Sequence, residues 1–134
     1  IDFCYGHRLT HYEGKCRYLH GHNGRVEIEL RGKALDDRGM VADFGDVKQI
    51  MKIWIDENLD HGMILYREDP ALGFIQSHGE RCYILDENPT AEAIAKLIYQ
   101  RARSFGLPVD KVTFWETPSS SATFSEDPAE CDAT

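Results

Sequence analysis

GRVEIELRGK, residues 24–33, alternates strictly between apolar and charged side chains. The apolar members are Val26, Ile28 and Leu30, and the charged members between them are Arg25, Glu27, Glu29 and Arg31. A period of two residues predicts a β-strand with one face buried and one face in water, as is typical of antiparallel sheets. This strand is the starting point for the fold.

Two amphipathic helices are predicted further along the chain. Residues 46–59 carry apolar side chains at positions 47, 50, 51, 54, 55 and 59, which form one helical face. A second helix follows Pro89-Thr90, with Asn88 or Thr90 as its cap, and Gly106 and Pro108 end it.

The remaining strands complete an α+β pattern. GMVAD (39–43) follows a turn signal and predicts a short return strand, while DKVTFWET (110–117) and a segment near Ala122–Phe124 predict the last two strands. The order ββααββ predicts a four-stranded antiparallel sheet with two helices on one face.

Residues 62–88, between the two helices, show no clear periodicity. Asp69-Pro70 is a possible start of a short helix, and Cys82–Leu85 is a possible edge strand. We interpret the stretch as either a pocket lid or an added subunit contact. Two residues in it, His78 and Cys82, receive no role from the sequence.

Length and composition restrict the class of protein. The 134 residues suit one domain, with an acidic tail at 126–134 that we expect to be mobile. The net charge of -8 argues against a nucleic-acid partner, and no apolar run of about 18 residues predicts a membrane span. Four cysteines without a CxxC pair and without a leader favour reduced thiols in the cytoplasm, with two disulfides as the alternative.

The motif His20-Gly21-His22 is the strongest chemical signal. In an extended segment, residues i and i+2 point to the same face, so both imidazoles can reach one metal. Three protein nitrogens and an open position are typical of catalytic zinc. His7 is the natural third ligand and His11 is its rival; a chance HxH in a polar turn is the alternative to any metal site.

Cys16 precedes this motif with three residues between them, and it allows two functions. As a fourth ligand it would close the site and make the metal structural. Beside the metal it could instead act as a base, because a nearby cation lowers the pKa of a thiol.

Two carboxylates are further candidates. Asp60 precedes His61 directly and could orient that imidazole, although an ordinary polar helix end is the alternative. Glu116 follows two aromatic residues and needs a partner if it is buried. That partner could be an arginine, or a ligand with two adjacent N–H donors.

Six stretches together resemble the 6-pyruvoyl-tetrahydropterin synthase and 6-carboxytetrahydropterin synthase family. They are FCYGHRL, CRYLHGHN, GMVADFGDVK, LDH, NPTAE and WET, in this order from Phe3 to about Phe124. The resemblance implies the tunnelling fold, in which four-stranded sheets of several subunits close into a barrel. It also implies a homo-oligomer, a trimer or a hexamer, with active sites between subunits.

The resemblance further implies residue roles. His7, His20 and His22 are similar to the zinc ligands of the family, and Cys16 to its catalytic base. Asp60 and His61 are similar to a pair that works with the Cys of a neighbouring subunit. Glu116 is similar to the anchor of the pterin, with Thr90 assisting it.

Three residues between the Cys and the HGH motif resemble the bacterial 6-carboxy branch rather than the 6-pyruvoyl branch. The implied substrate is 7,8-dihydroneopterin triphosphate, and the implied product leads toward the queuosine precursor. Candidate cations for the triphosphate are Arg8, Lys15, Arg17 and Arg25. Solvated surface charge is the alternative for each of them.

Overall fold

A computed structural model describes residues 1–126. The helices and strands, in chain order, are β1 (Asp2–His7), β2 (His20–Leu30), α1 (Phe44–Asn58), β3 (Gly62–Tyr66), α2 (Leu72–Ser77), β4 (Cys82–Leu85), α3 (Ala91–Ser104), β5 (Val109–Thr117) and β6 (Ser120–Phe124). A single 3-10 turn, Lys15–Arg17, lies between β1 and β2. The predicted mobile tail, 126–134, falls outside the described residues except for Glu126.

The α+β class is confirmed, but the prediction of four antiparallel strands is wrong. The described strands form one six-stranded mixed sheet in the order β4-β3-β1-β2-β5-β6. Pairs β1–β2, β2–β5 and β5–β6 are antiparallel, while β1–β3 and β3–β4 are parallel. The parallel pairs arise because α1 precedes β3 and α2 separates β3 from β4, and parallel strands need such crossover connections.

The stretch from 62 to 88 supplies the two additional strands and a third helix. Its apolar runs GMILY and CYIL pair with each other, and β4 is the edge strand predicted at Cys82–Leu85. The short helix α2 follows Asp69-Pro70. This stretch therefore extends the sheet by two strands, and it also lines a cavity of about 540 Å³.

The return strand predicted at 39–43 is wrong. Met40 and Val41 are exposed, and no described strand pairs with them. Asp43 instead caps α1, because its side chain accepts the N–H of Gly45 at 2.7 Å. The helix consequently begins at Phe44, two residues before the predicted start.

The core lies between one face of the sheet and helices α1 and α3. Strand residues alternate as the period of two requires, so that Phe3, Tyr5 and His7 of β1 are buried while Asp2 is exposed. The helices contribute the apolar faces read from the sequence, with Ile55 and Ile98 fully buried. We refer to this side of the sheet as the helix face and to the other side as the open face. No helix within residues 1–126 is long and apolar enough to cross a bilayer.

Candidate metal centre and active site

The register of β1 and β2 brings three histidines together on the helix face. His7 is the Cα partner of His20, and Tyr5 is the Cα partner of His22. His20 and His22 are two residues apart on one strand and therefore share a face. The side-chain nitrogens of the three histidines lie within 4.8 Å of one another, so the structure brings together all three predicted ligands.

Two of the imidazoles have tautomers fixed by backbone carbonyls. The Nδ1 of His7 lies 2.7 Å from the Pro89 carbonyl oxygen, and the Nδ1 of His20 lies 2.6 Å from that of Tyr18. Because a carbonyl only accepts, each Nδ1 carries the proton and each Nε2 carries a lone pair. These two Nε2 atoms lie 3.1 Å apart. Lone pairs that converge in this way call for a cation between them.

The third histidine gives an independent reason for a metal. The Nε2 of His22 is buried and has no hydrogen-bond partner within residues 1–126. Burial also lowers the pKa of His7 and of His22, which favours the neutral form that binds metals. Three imidazoles, one of them with an unsatisfied nitrogen, fit zinc. The rival ligand His11 is exposed and lies outside the cluster.

Glu116 lies directly beside these histidines, which sequence reasoning did not foresee. Its Oε1 is 3.3 Å from the Nε2 of His7 and 3.6 Å from the Nε2 of His22. The hydroxyl of Tyr5 donates to the same oxygen at 3.4 Å. Burial, together with the Glu116 charge, raises the pKa of Tyr5, so this hydroxyl keeps its proton. The described ion pairs give Glu116 no arginine partner.

The position of Glu116 beside the histidines follows from the pairing of β2 with β5. Phe114 is buried, and Glu116, two residues later, points to the same helix face. Phe114 pairs with Val26 on the strand that also carries His20 and His22. Alternation alone therefore predicts the face, but the register that sets the distance to the histidines is non-local.

Cys16 does not join the histidines within this chain. It lies half-buried in the 3-10 turn, where its backbone carbonyl accepts the N–H of Leu9 at 2.8 Å. Within residues 1–126, neither group of potential metal ligands contains it. The interpretation of Cys16 as a fourth ligand therefore has no support from the geometry, and its role as a base stays a prediction.

A second cluster, Cys4, Asp60 and His61, has its ligand atoms within 4.8 Å of one another. Asp60 accepts from His61 Nδ1 at 2.8 Å and from the backbone N–H of Cys4 at 3.0 Å. The N–H of His61 donates to the Cys4 carbonyl at 2.8 Å, with His61 at a φ of 58°. The sequence predicted the Asp60–His61 pair, but not that Cys4 holds it.

The ionisation of Asp60 follows from these contacts. Burial pushes the pKa of its carboxyl upward, but the hydrogen bonds from the Cys4 N–H and from His61 outweigh burial and lower it. Asp60 is therefore a carboxylate at neutral pH. It holds the Nδ1 of His61 and leaves the Nε2 of that residue as the nitrogen that can exchange protons.

Two cavities on the sheet are lined by residues of the second cluster. The larger, about 1020 Å³, is lined by Cys4, Asp60 and His61 together with Arg25 and Trp115. The other, about 540 Å³, includes both His22 and His61 in its lining. Both cavities therefore lie beside Cys4 and His61 of the second cluster.

The remaining candidate residues differ in whether the structure already gives their side chains a partner. Arg8 forms an ion pair with the buried carboxylate of Asp69, and Arg25 pairs with Asp2 at 3.0 Å. Thr90 accepts the N–H of Ala93 at 3.1 Å and caps α3 next to Pro89. Lys15 and Arg17 form no ion pair within residues 1–126. Arg8 is therefore the weakest of the four triphosphate candidates.

The fold and the histidine cluster define an α+β protein with three clustered imidazoles that could hold a metal ion. Residues 1–127 match the sequence profile of the family described as 6-pyruvoyl tetrahydropterin synthase. The chain belongs to this family, and the resemblance read from the sequence is confirmed.

Individual relatives agree with the family assignment. A Rickettsia bellii protein named 6-carboxy-5,6,7,8-tetrahydropterin synthase is 48% identical over 71% of this chain and 70% of its own length. A Haemophilus influenzae protein of the same name is 32% identical over 94% of this chain and 95% of its own.

Two solved structures share the fold. An uncharacterised Wolinella succinogenes protein superposes with a TM-score of 0.78 at 30% identity, covering 95% of each chain. The 6-pyruvoyl tetrahydropterin synthase of Caenorhabditis elegans superposes with a TM-score of 0.68 at 25% identity, covering 95% of this chain and 91% of its own.

Proposed function

We propose that this chain is a zinc-dependent 6-carboxy-5,6,7,8-tetrahydropterin synthase. It would convert 7,8-dihydroneopterin triphosphate to 6-carboxytetrahydropterin and release triphosphate and acetaldehyde. The observation that carries the proposal is the convergence of the His7, His20 and His22 nitrogens, two of them held as acceptors by backbone carbonyls. The name shared by relatives as different as those of Rickettsia bellii and Haemophilus influenzae supports the 6-carboxy branch.

The three histidines would hold the zinc. When bound, a zinc ion supplies Lewis acidity, which makes a C–H next to a coordinated oxygen easier to deprotonate. The burial of His7, whose side chain is 2% exposed, keeps this part of the site rigid and dry. The carbonyls of Pro89 and Tyr18 fix the ring orientations, as second-shell partners of zinc histidines do.

Glu116 would orient the pterin. A carboxylate can accept two parallel hydrogen bonds from the 2-amino group and the adjacent ring N–H, and such charge-assisted pairs are strong and directional. The side chain is 23% exposed, so one part of it is accessible to a ligand. Thr90, at the start of α3, would assist because its hydroxyl still has a proton to donate.

Cys16 and the Asp60–His61 pair would carry the protons. As a thiolate, Cys16 would remove the substrate proton, and His61 would return or relay protons through its Nε2. Cys16 belongs to neither ligand cluster of its own chain. This separation supports a homo-oligomer, a trimer or a hexamer, in which Cys16 of one subunit serves the Asp60–His61 pair of the next.

The proposal also covers the domain organisation, the assembly of subunits and the cellular location. We propose one domain across the 134 residues and a subunit barrel built from neighbouring sheets. A cytoplasmic location is supported by the free thiols of Cys4, Cys16 and Cys82. The product would feed the route to the queuosine precursor.

A second candidate is the 6-pyruvoyl tetrahydropterin synthase reaction, in which triphosphate is eliminated without cleavage of a carbon–carbon bond. The similarity of this chain to the Caenorhabditis elegans structure of that name favours this second candidate. A third candidate, a zinc-stabilised pterin-binding module without catalysis, is favoured by the carboxylate of Glu116 so close to the histidines.

Product analysis by mass spectrometry separates the candidates. Zinc-loaded protein is mixed with 7,8-dihydroneopterin triphosphate, and we expect 6-carboxytetrahydropterin together with acetaldehyde. The product 6-pyruvoyl-tetrahydropterin without acetaldehyde would move the chain to the sister reaction. Binding without turnover would favour the non-catalytic module.

A further inference from the structure

The Oε1 of Glu116 lies close to two of the three histidine nitrogens, those of His7 and His22. Bond lengths of about 2.0–2.1 Å in a tetrahedral zinc site place neighbouring donor atoms about 3.3 Å apart. The observed separations are 3.1 Å between the Nε2 atoms of His7 and His20, 3.3 Å from His7 to Glu116, and 3.6 Å from His22 to Glu116. These three separations match those between the ligands of one metal. Glu116 forms no described contact with His20, so metal binding would have to draw the carboxylate closer to that histidine.

Few N–H protons are available for hydrogen bonds between the histidines and Glu116. The ring protons of His7 and His20 are on Nδ1, where they bind backbone carbonyls. A carboxylate oxygen at 3.3 Å from the lone pair of His7 is repelled unless a cation lies between them. The unpartnered Nε2 of His22 faces the same oxygen at 3.6 Å. A dication would turn these repulsive contacts into coordinate bonds.

The Glu116 carboxylate already has a hydrogen-bond donor that could orient it, the hydroxyl of Tyr5. Tyr5 is 4% exposed, and its hydroxyl donates to the Oε1 of Glu116 at 3.4 Å. Carboxylates that bind metals are usually hydrogen-bonded in this way. Tyr5 lies two residues before His7 on β1, so the same strand supplies a ligand and the group that orients another.

We propose that Glu116 is the fourth protein ligand of the metal in the substrate-free protein, and that the substrate displaces it. Exposure separates the two kinds of ligand: the side chain of His7 is 2% exposed and fixed, whereas that of Glu116 is 23% exposed and can move. The pterin offers the displaced carboxylate two N–H donors, while its side-chain oxygens take the vacated position. The displacement rests on the proposed function; the resting ligand set does not.

Displacement also resolves a conflict between the ligand set and catalysis. Four protein ligands are typical of structural zinc, whereas catalytic zinc keeps an open position. An exchangeable carboxylate closes the site until the substrate arrives. The same residue would then serve two purposes in turn, first as a ligand and then as the pterin anchor.

The resting ligand set is tested without substrate. The protein is loaded with Co²⁺, whose visible absorption reports coordination number and donor type, and zinc affinity is measured by competition with a chelating indicator. We expect Glu116→Gln to change the cobalt spectrum and to weaken zinc binding by about 10–100-fold, the range seen when groups around a metal are lost. Tyr5→Phe should weaken binding less, in the same direction.

The matched control is Glu27→Gln. Glu27 is an exposed carboxylate on β2 that accepts from Trp115 Nε1 at 3.0 Å, and it lies on the open face. This variant should leave the spectrum and the zinc affinity unchanged. Identical cobalt spectra and equal zinc affinities for the unmodified chain and Glu116→Gln would overturn the proposal. If Glu116→Gln does not fold, an unchanged zinc affinity in Tyr5→Phe would count against it instead.

Displacement is tested by adding 7,8-dihydroneopterin to the cobalt protein. The spectrum of the unmodified chain should change on binding, and dialysis measures that binding separately. A pterin that binds while the spectrum stays constant would overturn the displacement. Product analysis remains independent of both experiments, so a wrong reaction assignment would leave a changed resting spectrum in Glu116→Gln standing.

Discussion

Two clusters of titratable side chains lie on opposite faces of the same sheet and differ in completeness. On the helix face, His7, His20 and His22 come from paired strands, and His7 is almost fully buried. On the open face, the side chain of His61 is 76% exposed and lines a cavity of about 1020 Å³. Strand β1 contributes to both clusters, with His7 on one side and Cys4 on the other.

The comparison shows which of the two clusters is complete within one subunit. The histidine cluster has its three imidazoles, the backbone carbonyls that orient two of them and the Glu116 carboxylate within one subunit. Asp60 orients His61 within one subunit, but the proposed base Cys16 lies outside this cluster. We therefore interpret the helix-face cluster as complete in the subunit and the open-face cluster as completed by a neighbour.

Loss of a metal ligand should have the largest effect. In His20→Ala two imidazoles remain, and we expect zinc to be lost and turnover to fall by at least about 1000-fold, since the metal supplies several kcal/mol of stabilisation. Atomic emission measures the zinc and a product assay the turnover. His11→Ala is the control and should keep its zinc; a full zinc content in His20→Ala would refute the ligand assignment.

Removal of the proposed base should separate metal binding from catalysis. Cys16→Ala should retain zinc and lose about 10²–10⁴-fold in turnover, the usual contribution of a general acid or base. Cys82→Ala, which changes another half-buried thiol, should remain active. Loss of zinc from Cys16→Ala would revive the interpretation of Cys16 as a closing ligand.

Removal of the Asp60 charge on the open face should reduce turnover moderately. Asp60→Asn keeps an oxygen to accept the Cys4 N–H but removes the charge beside His61. We expect turnover to fall about 10–100-fold, because the imidazolium loses its counter-ion, while the zinc content stays constant. Asp56→Asn, an exposed pair of Lys52 on α1, serves as the control. Equal activities of Asp60→Asn and Asp56→Asn would remove Asp60 from the mechanism.

Cys4→Ser should change activity little. The backbone N–H and carbonyl of Cys4, and not its thiol, make the observed bonds to Asp60 and His61. We expect turnover within about threefold of the unmodified chain, as for most substitutions that keep their contacts. A loss as large as that of Cys16→Ala would make Cys4 the base, and the open-face cluster would then be complete in one subunit.

The smallest effect on activity is expected at the Arg8–Asp69 pair, which is structural. The hydrogen bond from Arg8 lowers the pKa of the Asp69 carboxyl, so its stabilisation is present above about pH 3.8 and is lost as the pH falls through the lower folded-state value. Asp69→Asn should lower the free energy of unfolding at pH 7 by about 1–3 kcal/mol, because Arg8 is left unpaired but partly solvated.

Denaturant unfolding at pH 7 and at pH 3 checks this assignment. The difference in stability between the unmodified chain and Asp69→Asn should shrink at the lower pH. A difference that stays constant between the two pH values would show that Asp69 contributes no charge-dependent stability.

The sequence predicted what local periodicity controls. Alternation in residues 24–33 predicted β2, and the i, i+2 spacing placed His20 and His22 on one face. The apolar faces of α1 and α3 were also predicted correctly, apart from two residues that are exposed, Ile50 of α1 and Phe105 at the end of α3. In each case neighbouring residues in the chain carry the information.

Non-local pairing accounts for what the sequence did not predict. GMILY and CYIL are short apolar runs without alternation, and their parallel pairing depends on crossovers through α1 and α2. The closeness of Glu116 to His7 depends on the alignment of three strands, β1, β2 and β5. GMVAD was assigned to a strand because its apolar residues suggested pairing, whereas Asp43 caps a helix.

The most direct test of the central claim is complementation between two inactive variants, Cys16→Ala and His61→Ala. The two proteins are unfolded together in equal amounts, refolded with zinc and assayed for product. If each active site combines Cys16 of one subunit with His61 of a neighbour, random mixing should restore about a quarter of the unmodified activity. A mixture that stays as inactive as the separate variants, although its subunits have exchanged, would contradict the account.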